Sequence, residues 1–243
     1  MKKVSIITTT YNDSAELRNT IAQIKAQDYP NIEYIIVDGA SKDDTIDVIR
    51  EAEEYFGERL IWISEKDKGI YDAINKGLKL ATGDIIGTCF DRFASSDVIS
   101  KMVSIMEKEG TDGVHGDLNY MDGEKIVRKW RNGQGNIRTG WMPGHPTLYL
   151  KKEVYEKYGM YKTDYRISAD YEYMIRILKD NQVKLSYIPE VLIKMAHGGT
   201  STNSLGAYLE GMKEGHRALK ENGVKFAFVT DMLRTLRVLK QFL

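Results

Sequence analysis

The stretch "IEYIIVDGASKDDTIDVIREAEEYFGERLIWISE", residues 32–65, decides the fold. Its opening, "IEYIIVDG" (32–39), is an apolar, β-branched run of the kind buried on both faces of a sheet. "SKDDTIDVIREAEEYFG" then offers Ser and Asp residues as helix caps and closes on Gly57, a helix stop. "LIWISE" (60–65) returns to strand composition. A helix between two strands that are each apolar throughout is the crossover unit of a parallel sheet, and such crossovers are right-handed.

Working outward, the same alternation continues. "VSIITT" (4–9) reads as a strand, and Leu17, Ile21 and Ile24 recur at helical spacing behind Asn12, Asp13 or Ser14 as caps. "GIYDAINKGLKLATG" (69–83) is a third helix and "DIIGTCF" (84–90) a fourth strand. The order β-α-β-α-β-α-β predicts a three-layer α/β/α fold around a mostly parallel sheet. Ligands of such sheets bind at the strand C-terminal ends. That places residues 9–12, 38–41, 65–69 and 90–93 on one rim, each stretch polar or glycine-bearing.

Beyond residue 110 the pattern changes. A hairpin is expected at Asp122-Gly123, and "GHPTLYLKKEVYEKYG" is a strand with a short helix. "SADYEYMIRILKD" (168–180) is a helix with Ser168 as N-cap, and "KLSYIPEVLIKMA" is extended and broken at Pro189. Residues 204–221 and 226–243 read as helices.

Bulk properties exclude several classes. Thirty-five basic residues balance 35 acidic ones, so net charge is zero and binding of nucleic acid by bulk charge is not expected. The single cysteine, Cys89, leaves no internal disulfide and no Cys-based zinc site. No apolar run reaches the ~18–20 residues of a membrane span. "MKKVSIITTTYN" lacks the apolar core of a signal peptide, so a cytoplasmic location is expected.

The rim loops carry two readings each. No glycine-rich dinucleotide loop and no phosphate-loop lysine motif follow the first strand. Thr9, Tyr11 and Asn12 suit a nucleobase, or form an ordinary capped turn. Asp38 could accept from a base N–H or a ribose hydroxyl, or merely cap the next helix with Ser41. Lys66, Lys68 and Lys76 flank a helix start, which suits a diphosphate. Read alone, they form a solvated charged face.

Taken in order, "VSIITTTYN", "VDGASKDDT", "EKDKGIYDAINKGLKLATGD", "GHPTLYLKKEVYEKYG" and "ISADYEYMIRI" resemble successive motifs of the family 2 glycosyltransferases, most closely bacterial enzymes of surface-polysaccharide synthesis. The resemblance runs over roughly residues 3–200. It implies a GT-A-type fold over 1–203, with a nucleotide-binding half (1–93), an acceptor-binding half (94–203) and a C-terminal helical tail (204–243). It also implies inverting transfer of a sugar from a nucleoside-diphosphate sugar to a saccharide or lipid-linked acceptor.

Residue by residue, the resemblance puts Thr9, Tyr11 and Asp38 at nucleoside contacts and Asp67 and Lys68 in the donor loop. Gly39 stands where many members carry a second acid. The family's cation motif ends the fourth strand with paired acids. Here Phe90 and Asp91 fall on those positions, so Asp91 alone remains to hold a divalent cation, Mn²⁺ or Mg²⁺. One carboxylate suffices for a hard cation when phosphates and water complete the shell. Arg92, if it points inward, would also offset diphosphate charge. Asp170 matches the general base, which takes the acceptor's proton as an oxocarbenium-like centre is attacked from the face opposite the leaving group. His145 matches an acceptor-cleft position, and Asp117 is expected at the cleft floor. His197 precedes a Gly-Gly loop that could close over the donor. Trp130 and Trp141 offer a sugar-stacking surface or ordinary core packing.

Within the tail, Val229, Met232, Leu233, Leu236, Leu239 and Leu243 share one helical face, with Arg234, Arg237 and Lys240 off it. A basic amphipathic helix of this kind rests on an anionic membrane surface, or packs on the domain or on a second subunit. Two other functions stay open at this point. One is a nucleotide-sugar-binding relative that has lost catalysis; the other is a sugar nucleotidyltransferase of similar architecture, although "TTTYNDS" lacks the basic, glycine-rich loop that would hold a triphosphate.

Overall fold

The computed structural model describes residues 1–196, 205–239 and 241. In chain order the first half is β1 (Val4–Thr10), α1 (Ser14–Lys25), β2 (Ile32–Asp38), α2 (Thr45–Phe56), β3 (Leu60–Ser64), α3 (Ile70–Leu80), β4 (Ile85–Thr88), β5 (Arg92–Phe93) and α4 (Val98–Glu109). The second half is β6 (Gly113–Asp122), β7 (Lys125–Trp130), β8 (Tyr149–Lys151), α5 (Lys152–Tyr158), α6 (Ala169–Leu178), β9 (Leu185–Ala196), α7 (Leu205–Glu221) and α8 (Ala227–Leu239).

One sheet runs through the molecule in the order β3-β2-β1-β4-β8-β6-β9-β5, with β7 paired to β6. β3, β2, β1 and β4 are mutually parallel, as the crossover pattern predicts. Every residue of β2 is buried. Tyr34 and Ile36 enter one core with Leu17, Ile21, Val48 and Phe56 of α1 and α2. Ile35 and Val37 enter the other with Ala73 and Ile74 of α3. Each such side chain contributes about 1.5–3 kcal/mol on burial. Gly77 lets α3 lie tight on β1, because a Cβ there would sit 2.5 Å from the Ile7 side chain.

The half that follows α4 differs from the sequence reading in one strand. β9 is continuous through Pro189. The register against β6 jumps from Gly116↔Ile188 to Asp117↔Val191. Pro189 and Glu190 therefore sit in a bulge, where a residue without an N–H breaks no ladder bond. The β6–β7 hairpin forms where expected, with Gly123 at φ +57°. Residues 205–221 and 227–239 are helical as read, and Ala218, Leu219, Val224 and Ala227 join the same core as α3, α5 and α6. α8 turns Ala227 and Thr230 inward. Phe228, Val229, Met232, Leu236 and Leu239 are exposed.

β6 also buries His115 completely, against the rings of Tyr187 (5.2 Å) and Trp141 (5.5 Å). Among the described residues neither ring nitrogen has a hydrogen-bond partner. Burial therefore pushes the imidazole down from 6.5 to about 4. Between those values the unfolded chain binds a proton that the folded chain refuses. This stabilisation is complete above pH 6.5 and is lost as pH falls towards 4. Urea unfolding should show about 2 kcal/mol less stability at about pH 5 than at about pH 7.5 from this group alone. His115→Phe should lose that share of the pH dependence; an unchanged dependence contradicts the assignment.

Candidate active site at the sheet edge

The register aligns Thr10 with Asp38 and Asp38 with Ser64, so the first three strands end at one edge, and β4 ends beside them. The loops at this edge are tied together by Asp38. Its carboxylate is fully buried and accepts from the Ser41 N–H (3.0 Å), the Ser41 hydroxyl and the Ser64 hydroxyl (2.6 Å). Ser41 Oγ in turn accepts from the Asn12 N–H (2.8 Å), and Asn12 Oδ1 accepts from the Lys42 N–H (2.7 Å). Asn12 holds φ +50° to make these contacts. Asp38 thus lies fully buried behind the residues that wall the rim.

In front of Asp38 is a groove of about 640 Å³, walled by Thr9, Tyr11, Gly39, Lys42, Lys66 and Asp67 among others. The Tyr11 ring is 60% exposed, a free face above the groove. Gly39 explains itself here. A Cβ at this position would lie 2.7 Å from Asp67 Oδ2 and 3.2 Å from the Tyr11 ring. The space of the missing second acid is occupied by the Asp67 carboxylate, delivered from the next loop and held by the Gly69 N–H (2.9 Å). Lys68 is exposed and lines neither this groove nor the cavity beside it. Its backbone N–H donates to Asp72 (3.0 Å), inside the first turn of α3.

Ile70 lines the groove and also a second cavity of about 1070 Å³. Asp91 and Asp170, 79 residues apart in sequence, both open into this cavity, with Phe90, Trp130, Trp141 and His145. Asp91 Oδ1 accepts from the Ala196 N–H (3.2 Å), and burial raises its carboxyl to about 6. Asp170 is in the first turn of α6, and its Oδ1 accepts from the Tyr71 hydroxyl (3.1 Å). The His145 ring pairs with the Tyr161 hydroxyl (2.9 Å), and burial lowers its proton affinity, favouring the neutral ring.

Two expectations are relocated. Asp117 is buried and absent from the cavity wall; it accepts from the Asn132 N–H and the Tyr187 hydroxyl (both 2.8 Å), anchoring the segment that carries Trp130 and Arg131 to the wall. Arg92 is exposed on β5 and faces Glu124 (3.7 Å), so it does not reach towards a diphosphate. His197 lies outside the described residues. Two residues absent from the sequence reading bear on the site: Tyr71, in the first turn of α3 inside a motif already singled out, lines the cavity, and Glu214 of α7, for which no local signal exists, binds the turn that leads to Asp170.

Among the described residues no group of three His, Cys, Asp or Glu side chains converges as a metal cage. Asp91 offers one carboxylate, with Oδ1 engaged by a backbone N–H. That donor set does not fit a cation held by protein alone. It fits a hard cation shared with phosphate oxygens and water.

With this geometry in view, the chain can be set beside known proteins. The sequence model described as glycosyl transferase family 2 matches residues 5–167. An uncharacterized glycosyltransferase of Mycobacterium tuberculosis (strain H37Rv) is 30% identical over 191 residues, covering 71% of this chain and 68% of the relative. A PGL/p-HBAD biosynthesis glycosyltransferase of Mycobacterium bovis BCG is 28% identical over 209 residues, covering 83% and 79%. Among solved structures, a mannosyltransferase of Pyrobaculum calidifontis in complex with GDP-Man and Mn²⁺ superposes with a TM-score of 0.72 at 19% identity, covering 97% of this chain and 70% of that one. Residues 1–349 of S. aureus TarS in complex with UDP give a TM-score of 0.72 at 14% identity, covering 99% and 72%. These likenesses establish the GT-A fold.

The Gly39 geometry yields a test. Gly39→Ala should displace Asp67 or Tyr11 and weaken UDP or GDP binding by about tenfold, or 1.4 kcal/mol, in calorimetric titration. Unchanged affinity for both nucleotides removes this groove from nucleotide binding.

Proposed function

The chain belongs to glycosyl transferase family 2, and from that premise we propose an inverting transfer of a sugar from a nucleoside-diphosphate donor to a hydroxyl of a saccharide or lipid-linked acceptor, in the synthesis of a bacterial cell-surface polysaccharide. One observation carries this reading. The two carboxylates that the sequence singles out, Asp91 and Asp170, open into one cavity, and that cavity meets the Tyr11 groove at Ile70. Membership of the family sets the nucleotidyltransferase alternative aside.

In this reading the nucleoside lies in the groove. Tyr11 offers its ring to the base, Thr9 and Asp67 offer hydrogen-bonding groups, and Asp38 shapes the wall from behind. Lys68 sits at the exposed N-terminal edge of α3, where the diphosphate would pass. Asp91 would hold a divalent cation jointly with the diphosphate, and the cation would supply positive charge to the departing group. Asp170 accepts the proton of the acceptor hydroxyl while the acceptor oxygen bonds to the anomeric carbon. The bond to the diphosphate breaks with its electron pair leaving on the diphosphate, and configuration inverts. Neutral His145, fixed by Tyr161, contacts the sugar without taking a proton.

Support for donor and cation comes from the bound ligands of the solved relatives, GDP-Man with Mn²⁺ in one and UDP in another. A second reading, a nucleotide-sugar-binding relative without transfer, draws on Phe90 standing in the cavity wall beside a lone acid. Turnover separates the two.

The test uses whichever of UDP-glucose, UDP-GlcNAc or GDP-mannose most raises the melting temperature with Mn²⁺. Release of nucleoside diphosphate is then followed with water and with n-octyl glucoside as acceptors. Asp170→Asn should lower kcat by about 10²–10⁴-fold and leave donor affinity within about twofold. Asp91→Ala or EDTA should weaken donor binding instead. Equal turnover by Asp170→Asn removes it as the base, and donor affinity indifferent to EDTA removes the cation.

No described helix is long and apolar enough to cross a membrane. We assign the outer face of α8 to an anionic membrane surface. Its exposed Phe228, Met232 and Leu236 follow exposed Lys225 and Phe226, while the opposite face, with Arg234 and Val238, walls the cavity. A lipid-linked acceptor in that surface would present its head group at the cavity. The protein should therefore sediment with phosphatidylglycerol-containing vesicles. Phe228→Gln combined with Leu236→Gln should abolish this. Sedimentation unaffected by the pair, or dimerisation through this face in place of vesicle binding, contradicts the assignment.

A further inference from the structure

A helix start leaves its first backbone N–H groups without intrahelical partners. At the start of α6 the N-cap residue, Ser168, makes no side-chain cap bond, and its hydroxyl donates instead to the Gly211 carbonyl on α7 (3.1 Å). The N–H groups of the three residues that lead into α6 are bound from outside the segment. Glu214 of α7 accepts from Arg166 N (2.7 Å) with Oε1 and from Ile167 N (2.9 Å) and Ser168 N (2.8 Å) with Oε2.

Glu214 is only 6% exposed, and among the described residues no Lys or Arg forms an ion pair with it. A buried carboxylate without a cation is costly unless its oxygens are fully hydrogen-bonded. Here three charge-assisted bonds and the positive end of α6 supply that compensation. The arrangement spans 46 residues between Ser168 and Glu214, so no local feature of the helix produces it.

The same turn is held on its other side. The Tyr71 hydroxyl of α3 is 2.6 Å from the Ile167 carbonyl and 3.1 Å from Asp170 Oδ1. Residues 166–170 are therefore gripped between α3, which follows the Tyr11 groove, and α7. Asp170, the second residue of α6, takes its position from this grip.

We propose that Glu214 is a positioning residue for Asp170, fixing through the three N–H groups of Arg166, Ile167 and Ser168 the turn from which the base reaches the acceptor hydroxyl. The proposal rests on the reading of Asp170 as the base. Misplacement of a reacting group by about 1 Å costs about 10²-fold in rate, which sets the scale of the effect.

The test is a double-mutant cycle on donor hydrolysis and octyl-glucoside transfer, with the donor chosen as above. E214Q keeps the volume but turns one accepting oxygen into a donor facing N–H groups. It should lower kcat by about 10–100-fold, with calorimetric affinity for UDP or GDP within about twofold of wild type. On the Asp170→Asn background E214Q should cause no further loss, because its effect passes through Asp170. A purely structural role predicts the same fold-loss on both backgrounds.

Amide hydrogen exchange at residues 166–168 gives a readout independent of turnover, and should accelerate at least about tenfold in E214Q. If E214Q does not fold, E214D, which keeps the charge on a shorter arm, takes its place with a smaller loss and the same non-additivity. Wild-type kcat in the variant, unchanged exchange at 166–168, or equal losses on both backgrounds overturns the proposal. If Asp170→Asn alone leaves turnover intact, the base reading has failed instead, and the two failures are distinct.

Discussion

The structure depends on the two-sided burial of β2. Once Tyr34 and Ile36 must face one layer of helices and Ile35 and Val37 the other, neighbouring strands can only join through helical crossovers. Crossovers of one hand bring the ends of β1 to β4 to a single edge. The Tyr11 groove, Asp91 and the first turn of α3 all follow from that geometry. The second half of the sheet then adds a wall on which Trp130, His145 and Asp170 converge.

Carboxylates divide the work at this edge because their surroundings differ. Asp38 is saturated by hydroxyl and backbone donors and orders the loops. Asp67 fills the space a side chain at position 39 would need. Asp91, with one backbone donor and partial burial, is raised to about 6, so a nearby positive charge would favour its ionised form. Asp170 projects from a helix start, where the dipole favours negative charge, with a phenol to aim it. Glu214 occupies the same helix start from behind. One fold thus supplies a buried structural acid and, in the proposed reading, a cation ligand, a base and a brace for that base.

Much of this was legible in the chain itself. The β-α alternation and the rim followed from apolar periodicity, and Asp91 and Asp170 were singled out by the family resemblance that the run of motifs carries. What stayed hidden shares one cause: each feature depends on a partner distant in sequence. The burial of Asp38 is set by Ser64, 26 residues on. Asp117 is drawn off the cleft floor by Asn132 and Tyr187, the latter 70 residues away. Pro189 reads as a strand break until the register of β6 shows a bulge absorbing it. In α8 the stripe of apolar residues was visible, but its orientation was set by α7 and by the cavity, and the stripe faces out.

The most direct measurement is a crystal structure of the protein with a nucleoside diphosphate and Mn²⁺ bound. The account predicts the base against Tyr11, the diphosphate running past Ile70 to a cation on Asp91, and open space between the terminal phosphate and Asp170. A nucleotide seated elsewhere, or one whose diphosphate turns away from the cavity shared by those two acids, contradicts it.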